Sequence, residues 1–171
     1  MTLKLTALVA LALVASASAA AQDYPKLRPG LWEVSSRAST QKKDDPPMRT
    51  TMCIDDATAR TMYRFSQGMM DDMCSKFDVK HSGNRYVSEA VCKLGDSRMV
   101  ARSTMTLAGD SAYTIEGSST YDPPFMGIRE ATTKVEARHV GPCKPGQKPG
   151  DITTPGGQTI NLHNLAPAPK K

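Results

Sequence analysis

From Cys74 to Arg138 the side chains alternate every second residue, and tight-turn signals interrupt the alternation at regular intervals. Such alternation buries one face of a strand and leaves the other to water, so the pattern predicts an antiparallel sheet. Phe77, Val79 and His81 alternate with Lys76, Asp78 and Lys80, and Gly83-Asn84 then turns the chain. Glycine at the first turn position suits a type II′ hairpin. With those two residues as the loop, Ser82 pairs with Arg85, Phe77 stands opposite Ala90, and Val79 opposite Ser88. Tyr86, Ser88, Ala90 and Cys92 then share the face of Phe77 and Val79. In the next strand Met99, Ala101, Ser103, Met105 and Leu107 form the inward set, and Gly109-Asp110 turns the chain into Tyr113, Ile115, Gly117, Ser119 and Tyr121. Asp122-Pro123-Pro124 breaks that run, and Ala131, Thr133, Val135 and Ala137 make a last inward face.

Two strand-like runs come earlier, from Gly30 to Thr40 and from Met48 to Ile54, joined by a charged, proline-containing turn from Lys42 to Pro47. After them Asp55 reads as a helix N-cap and Asp56 places an acid in the first turn, where the dipole favours it. Ala59, Met62, Tyr63 and Ser66 follow at helical spacing, and Gly68 sits where a C-terminal cap belongs. The spacing predicts one short helix over 56–67; residues 69–73 fit a further turn or a loop. About seven strands with one-sided burial predict a mainly β chain: a single antiparallel domain, whether meander, half-barrel or barrel-like, with one short helix. Its inward residues are small or flexible, and such a face either packs closely or lines a space.

The chain has 171 residues, room for one domain. Residues 1–21 read as a signal peptide. Lys4 gives the positive start, Leu5 to Val14 is an apolar run too short to span a bilayer, and the Ala-rich stretch to Ala21 fits the cleavage rule. Residues 22–143 form the body. Residues 144–171 are rich in proline and glycine with few large apolar side chains, and this composition predicts disorder. The expected location is therefore the periplasm or the exterior, with no membrane span after cleavage.

The formal net charge of +5 looks like a nucleic-acid signal. It dissolves when divided, because the segment from Gly141 to Lys171 holds four lysines against one aspartate and the signal holds Lys4. The body is close to neutral and offers no footprint for a phosphate backbone, so no nucleic-acid partner is expected.

Four cysteines, Cys53, Cys74, Cys92 and Cys143, lie beyond the signal. An even count in an exported chain predicts disulfides, and three pairings are open. Cys53 with Cys74, stapling the helical insert, and Cys92 with Cys143, tying down the closing segment, is the expected arrangement. No Cys-x-x-Cys is present, so a redox or zinc site lacks its local geometry.

The stretch Arg28-Pro29-Gly30-Leu31-Trp32-Glu33-Val34 is distinctive. It resembles the opening motif of an exported proteobacterial family, the domain-of-unknown-function family 3617. Cys53 before an acidic helix start, Cys74 opening a strand toward Ser82-Gly83-Asn84, Cys92 ending the next strand, and Arg138 to Cys143 with its Gly-x-Cys ending match in order. The resemblance covers about Leu27 to Cys143 and implies a periplasmic or secreted β-rich protein; it implies no activity. The long tail departs from it. Gly30-x-Trp32 also resembles the Gly-x-Trp signature of lipocalin-like barrels, which implies a tryptophan closing the barrel floor under an arginine, here Arg129 or Arg138.

Catalytic motifs are missing: there is no Gly-x-Ser-x-Gly elbow, no His-Glu-x-x-His and no phosphate loop. The histidines His81, His139 and His163 stand apart from one another, and no enzyme or cofactor is expected. The candidate ligand face is Trp32, Met99, Met105, Tyr113 and Ile115, on the inward side of the strands. It suits a binding or interaction module that takes an apolar small molecule or an envelope protein; a lipocalin-like lipid carrier is the nearest alternative. Met69, Met70 and Met73 supply soft thioethers beside Cys74, which suit Cu(I), although methionine is also a common core filler.

Overall fold

In the computed structural model, residues 24–165 are described; the expected signal peptide lies outside them. Strands β1 (Gly30–Ala38) and β2 (Met48–Ile54) precede helix α1 (Asp56–Met73). A run of five strands follows: β3 (Cys74–Ser82), β4 (Arg85–Leu94), β5 (Ser97–Ala108), β6 (Ala112–Phe125) and β7 (Ile128–Gly141). Two short strands, β8 (Asp151–Thr153) and β9 (Thr159–Asn161), and a 3-10 turn (Leu162–Asn164) end the described chain. All nine strands join one antiparallel sheet in the order β3-β4-β5-β6-β7-β1-β2-β8-β9.

The expected mainly β fold is present, and the hairpin register is the one the turn dictates. Ser82 pairs with Arg85, Phe77 with Ala90 and Val79 with Ser88. Gly83 alone supplies the positive φ of that turn, 59°. The prolines after Asp122 do not end β6. Pairing with β7 breaks after Thr120 and resumes at Phe125, so the irregularity is absorbed as a register shift.

The order is a meander with its first two strands carried to the far side. β1 pairs with β7, and β2 does not pair with β3. The sheet therefore curls without closing, so of the meander, half-barrel and barrel-like forms it takes an open one. Helix α1 takes the place of the missing β2–β3 ladder, touching β2, β3 and β4.

That helix starts as the sequence predicts. The Asp55 carboxylate accepts the Thr58 amide N–H at 2.7 Å. The Thr58 hydroxyl, together with this backbone bond, holds the Asp55 carboxyl below its ordinary range. The helix runs on to Met73, beyond the predicted end, because Gly68 sits inside it and Cys74 makes the turn into β3. Cys74 then continues directly as the first residue of β3.

Both disulfides form, and their pairing corrects the expected one. Cys74 bonds Cys92, and Cys53 bonds Cys143. The reason is register: β3 and β4 are neighbours, and a shift between Cys74 and Lys76 sets Cys74 opposite Cys92. Each bridge thus pins one end of the helix to the sheet flank beside it.

The tail after Cys143 is also corrected. It orders as far as Leu165 by borrowing the free edge of β2, where Thr51 pairs with Thr153 and Met52 with Ile152. The Gly150 amide donates to the Cys53 carbonyl at 2.8 Å, and Leu162 is buried. The Asp151 carboxylate accepts the Lys148 amide and the Asn161 side-chain amide, both at 2.8 Å, which lowers its pKa. The Thr58 hydroxyl meets His163 Nε2 at 3.3 Å, so the tail docks on the start of α1. Residues 166–171 lie outside the described part.

Candidate functional site

The cross-strand registers sort the inward face into rows. At one end His139, Trp32 and Met52 are neighbours across β7, β1 and β2. The next row is Leu107, Tyr113, Ala137, Val34 and Thr50, followed by Tyr86, Met105, Ile115, Val135, Ser36 and Met48. Two rows of small residues come next: Ser88, Ser103, Gly117, Thr133 and Ala38, then Ala90, Ala101, Ser119 and Ala131. Cys92, Met99 and Tyr121 close the far end.

The bulky end is the core. Trp32 is fully buried and clusters with Ile54, Ala59, Tyr113 and Ala137, while Met62 of α1 packs against them. The Trp32 and Tyr113 rings lie 5.7 Å apart, and His139 meets the indole edge-on at 6.0 Å. Burial pushes the Tyr113 phenol pKa up. No arginine takes the expected place over Trp32. Arg138 projects from the opposite face of β7, where its guanidinium binds Glu33 at 2.6 Å, and Arg129 sits at the other end of that strand.

Of the candidate ligand face, Trp32, Tyr113, Met105 and Ile115 come together at this end. Met99 stands at the opposite end, across from Tyr121. Between them lie the two rows of small residues, a strip of the sheet face with shorter side chains than the rows on either side, here called the trough. Ala101, Ser103, Gly117, Ser119 and Ala131 in it are half-buried, whereas their outward neighbours Arg102, Ser118 and Glu130 are exposed. The Ser88 and Ser103 hydroxyls bond each other at 2.7 Å across the trough floor. His81 stacks on Tyr86 at 4.1 Å beside one edge.

The methionines of α1 lie outside the trough. Met69 and Met73 are one turn apart and partly exposed, and Met70 Sδ lies 3.7 Å from Cys74 Sγ. Among the described residues no group of three or more His, Cys, Asp or Glu is placed to hold a metal ion.

Every residue of the opening motif has an architectural task. Arg28 binds Asp110 at 2.9 Å, and its amide donates to the Asp110 carbonyl, which ties the entry segment to the β5–β6 turn. Its own carbonyl accepts the Trp32 indole N–H at 2.8 Å. The Pro29 carbonyl lies 3.1 Å from His139 Nε2. Leu31 is buried, and Glu33 bonds Arg138.

A family model described as "Protein of unknown function (DUF3617)" matches residues 27–143. The chain belongs to this family. No curated protein and no solved structure matches it. The DUF3617 match spans β1 through Cys143 and stops before β8, so the edge strands added to β2 lie beyond the matched region. Two disulfides are formed in this DUF3617 chain. Among its described residues no helix is long and apolar enough to cross a membrane.

Proposed function

We propose that this chain is a non-enzymatic binding module of the periplasm or exterior, and that it holds an apolar ligand against the inward trough. The observation that carries this reading is the pair of small-residue rows between the Met105–Ile115–Val135 row and the Met99–Tyr121 row. Apolar walls with a few hydroxyls on the floor are the usual make-up of a small-molecule site. The disulfides and the signal-like first residues support the oxidising location. An envelope protein is the alternative occupant of the same trough.

The test is titration with N-phenyl-1-naphthylamine, a neutral apolar fluorophore, against the wild type and the trough-filling variant Ala101→Leu/Ser103→Leu. Saturable enhancement that the filled variant loses supports the reading. Absence of enhancement, or equal enhancement in both proteins, overturns the apolar-ligand version.

A second reading is Cu(I) binding by the α1 thioethers, for which the partial exposure of Met69 and Met73 on one helix face speaks. Cu(I) that binds there raises Tm, because a ligand of the native state stabilises it. An unchanged Tm with Cu(I) in excess removes this reading.

A further inference from the structure

The outward face of β7, β1 and β2 carries a second concavity. Arg138, Glu33, Thr51 and Thr153 form one row across β7, β1, β2 and β8. Glu136, Ser35 and Arg49 form the next. Lys144, adjacent to the cysteine that bonds Cys53, completes the wall. Together they line a cavity of about 530 Å³, within the range of small-ligand sites.

The charges in this cavity do not cancel. Glu33 receives Nε and Nη2 of Arg138 at 3.1 and 2.6 Å. Glu136 receives Lys134 Nζ at 2.7 Å, an attachment that also raises the lysine's pKa. Both carboxylates are therefore neutralised by cations of their own. Among the described residues no carboxylate lies within ion-pair distance of Arg49 or Lys144. Two positive charges are left over on the wall, with the Ser35, Thr51 and Thr153 side chains between and beside them.

We propose that this cavity binds a phosphate monoester that carries hydroxyl groups, such as a sugar phosphate. A phosphate monoester bears roughly two negative charges at neutral pH, which matches the two unpaired cations. Arg49 offers a planar fork for two phosphate oxygens, and Lys144 a mobile point charge. The serine and threonine hydroxyls suit the polyol portion, since each both donates and accepts. The phosphate is either soluble or borne on a lipid headgroup, and the recognising chemistry is the same. This site lies on the opposite side of the sheet from the trough and stands or falls separately from it.

The experiment is a two-dimensional amide NMR titration of the oxidised full chain with glucose 6-phosphate, with glucose as the neutral control. Saturable shifts at Arg49, Thr51 and Thr153, weakened about tenfold in Arg49→Gln and in Lys144→Gln, support the site. Both positions are exposed, so the variants retain the fold, as far-UV dichroism will verify. Sedimentation with phosphatidic acid vesicles against phosphatidylcholine vesicles forms the second arm. Binding there that both variants lose, without response to glucose 6-phosphate, assigns the site to lipid-borne phosphate. No binding in either arm overturns the proposal. So does equal binding by glucose, or by both variants.

Discussion

The ring of His139 occupies the space that a Cβ on Gly30 would fill. The carbonyl of Gly141 crowds the same point, and Gly30 holds a φ of 138°, which L side chains rarely adopt. Close approach and backbone conformation thus both demand glycine at the head of β1. Gly30→Ala is expected to lower stability by about 3 kcal/mol, combining strain and overpacking. Urea unfolding measures it. His139→Ala should restore only part of the loss in the double variant, since the Gly141 carbonyl stays in place; full restoration would refute the backbone half of the argument.

Trp32 joins the entry segment to the core through one hydrogen bond and one ring pair. Trp32→Phe retains most of the apolar area and deletes the N–H that Arg28 receives. It should cost about 1–2 kcal/mol, against about 3–5 kcal/mol for Trp32→Ala. Dichroism-monitored denaturation is the suitable readout, because this is the only tryptophan. Equal losses would show that the hydrogen bond, not the packing, dominates.

The two disulfides close loops of different length, separated by 90 residues for Cys53–Cys143 and 18 for Cys74–Cys92. Loop entropy predicts about 4.5 kcal/mol for the first and about 3 kcal/mol for the second. Cys53→Ser/Cys143→Ser should also speed hydrogen exchange at Met52 and Ile152, where β8 leans on β2. Mass spectrometry of an unreduced digest checks the pairing directly, and a Cys53–Cys74 peptide would refute it.

Asp55 contributes stability that depends on acid. Its native pKa lies below the unfolded value, so the contribution is complete above about pH 4 and disappears as pH falls through the native pKa. Asp55→Asn retains an N-cap and should match the wild type near pH 7, yet lose less stability as pH falls below about 4. Asp55→Ala should lose about 1 kcal/mol at pH 7. Parallel acid limbs for wild type and Asp55→Asn would count against the linkage.

The hairpins were legible because a turn fixes everything downstream of it. Once Gly83-Asn84 is the loop, the partners of Phe77 and Val79 follow by counting. Counting also explains the cysteine error: it sets Cys92 opposite Ser75, one residue from Cys74, and the register shift that closes the gap leaves no mark in Cys-Ser-Lys. The tail misled for a different reason. Its composition describes what it can bury alone, while its order comes from main-chain pairing with Thr51 and Met52, and from Leu162 in a site built by others. The cavity of Arg49 and Lys144 was invisible, because it depends on β1 lying between β7 and β2, a long-range arrangement that no local pattern encodes. The clustering of Trp32, Met105, Tyr113 and Ile115 was readable from alternation, whereas Met99, whose distance along the strand from Trp32 sets it at the other end, lies apart from them.

In a closed barrel, strand number and stagger dictate the bore. Here a helix bridges the gap between the second and third strands, and each lip of that gap has its own covalent clasp. The internal width then follows from which side chains α1 wedges between the lips. Ala59 and Met62 are the ones that pack into the core, so exchanging them for larger or smaller residues is expected to change how far the helix stands from the sheet.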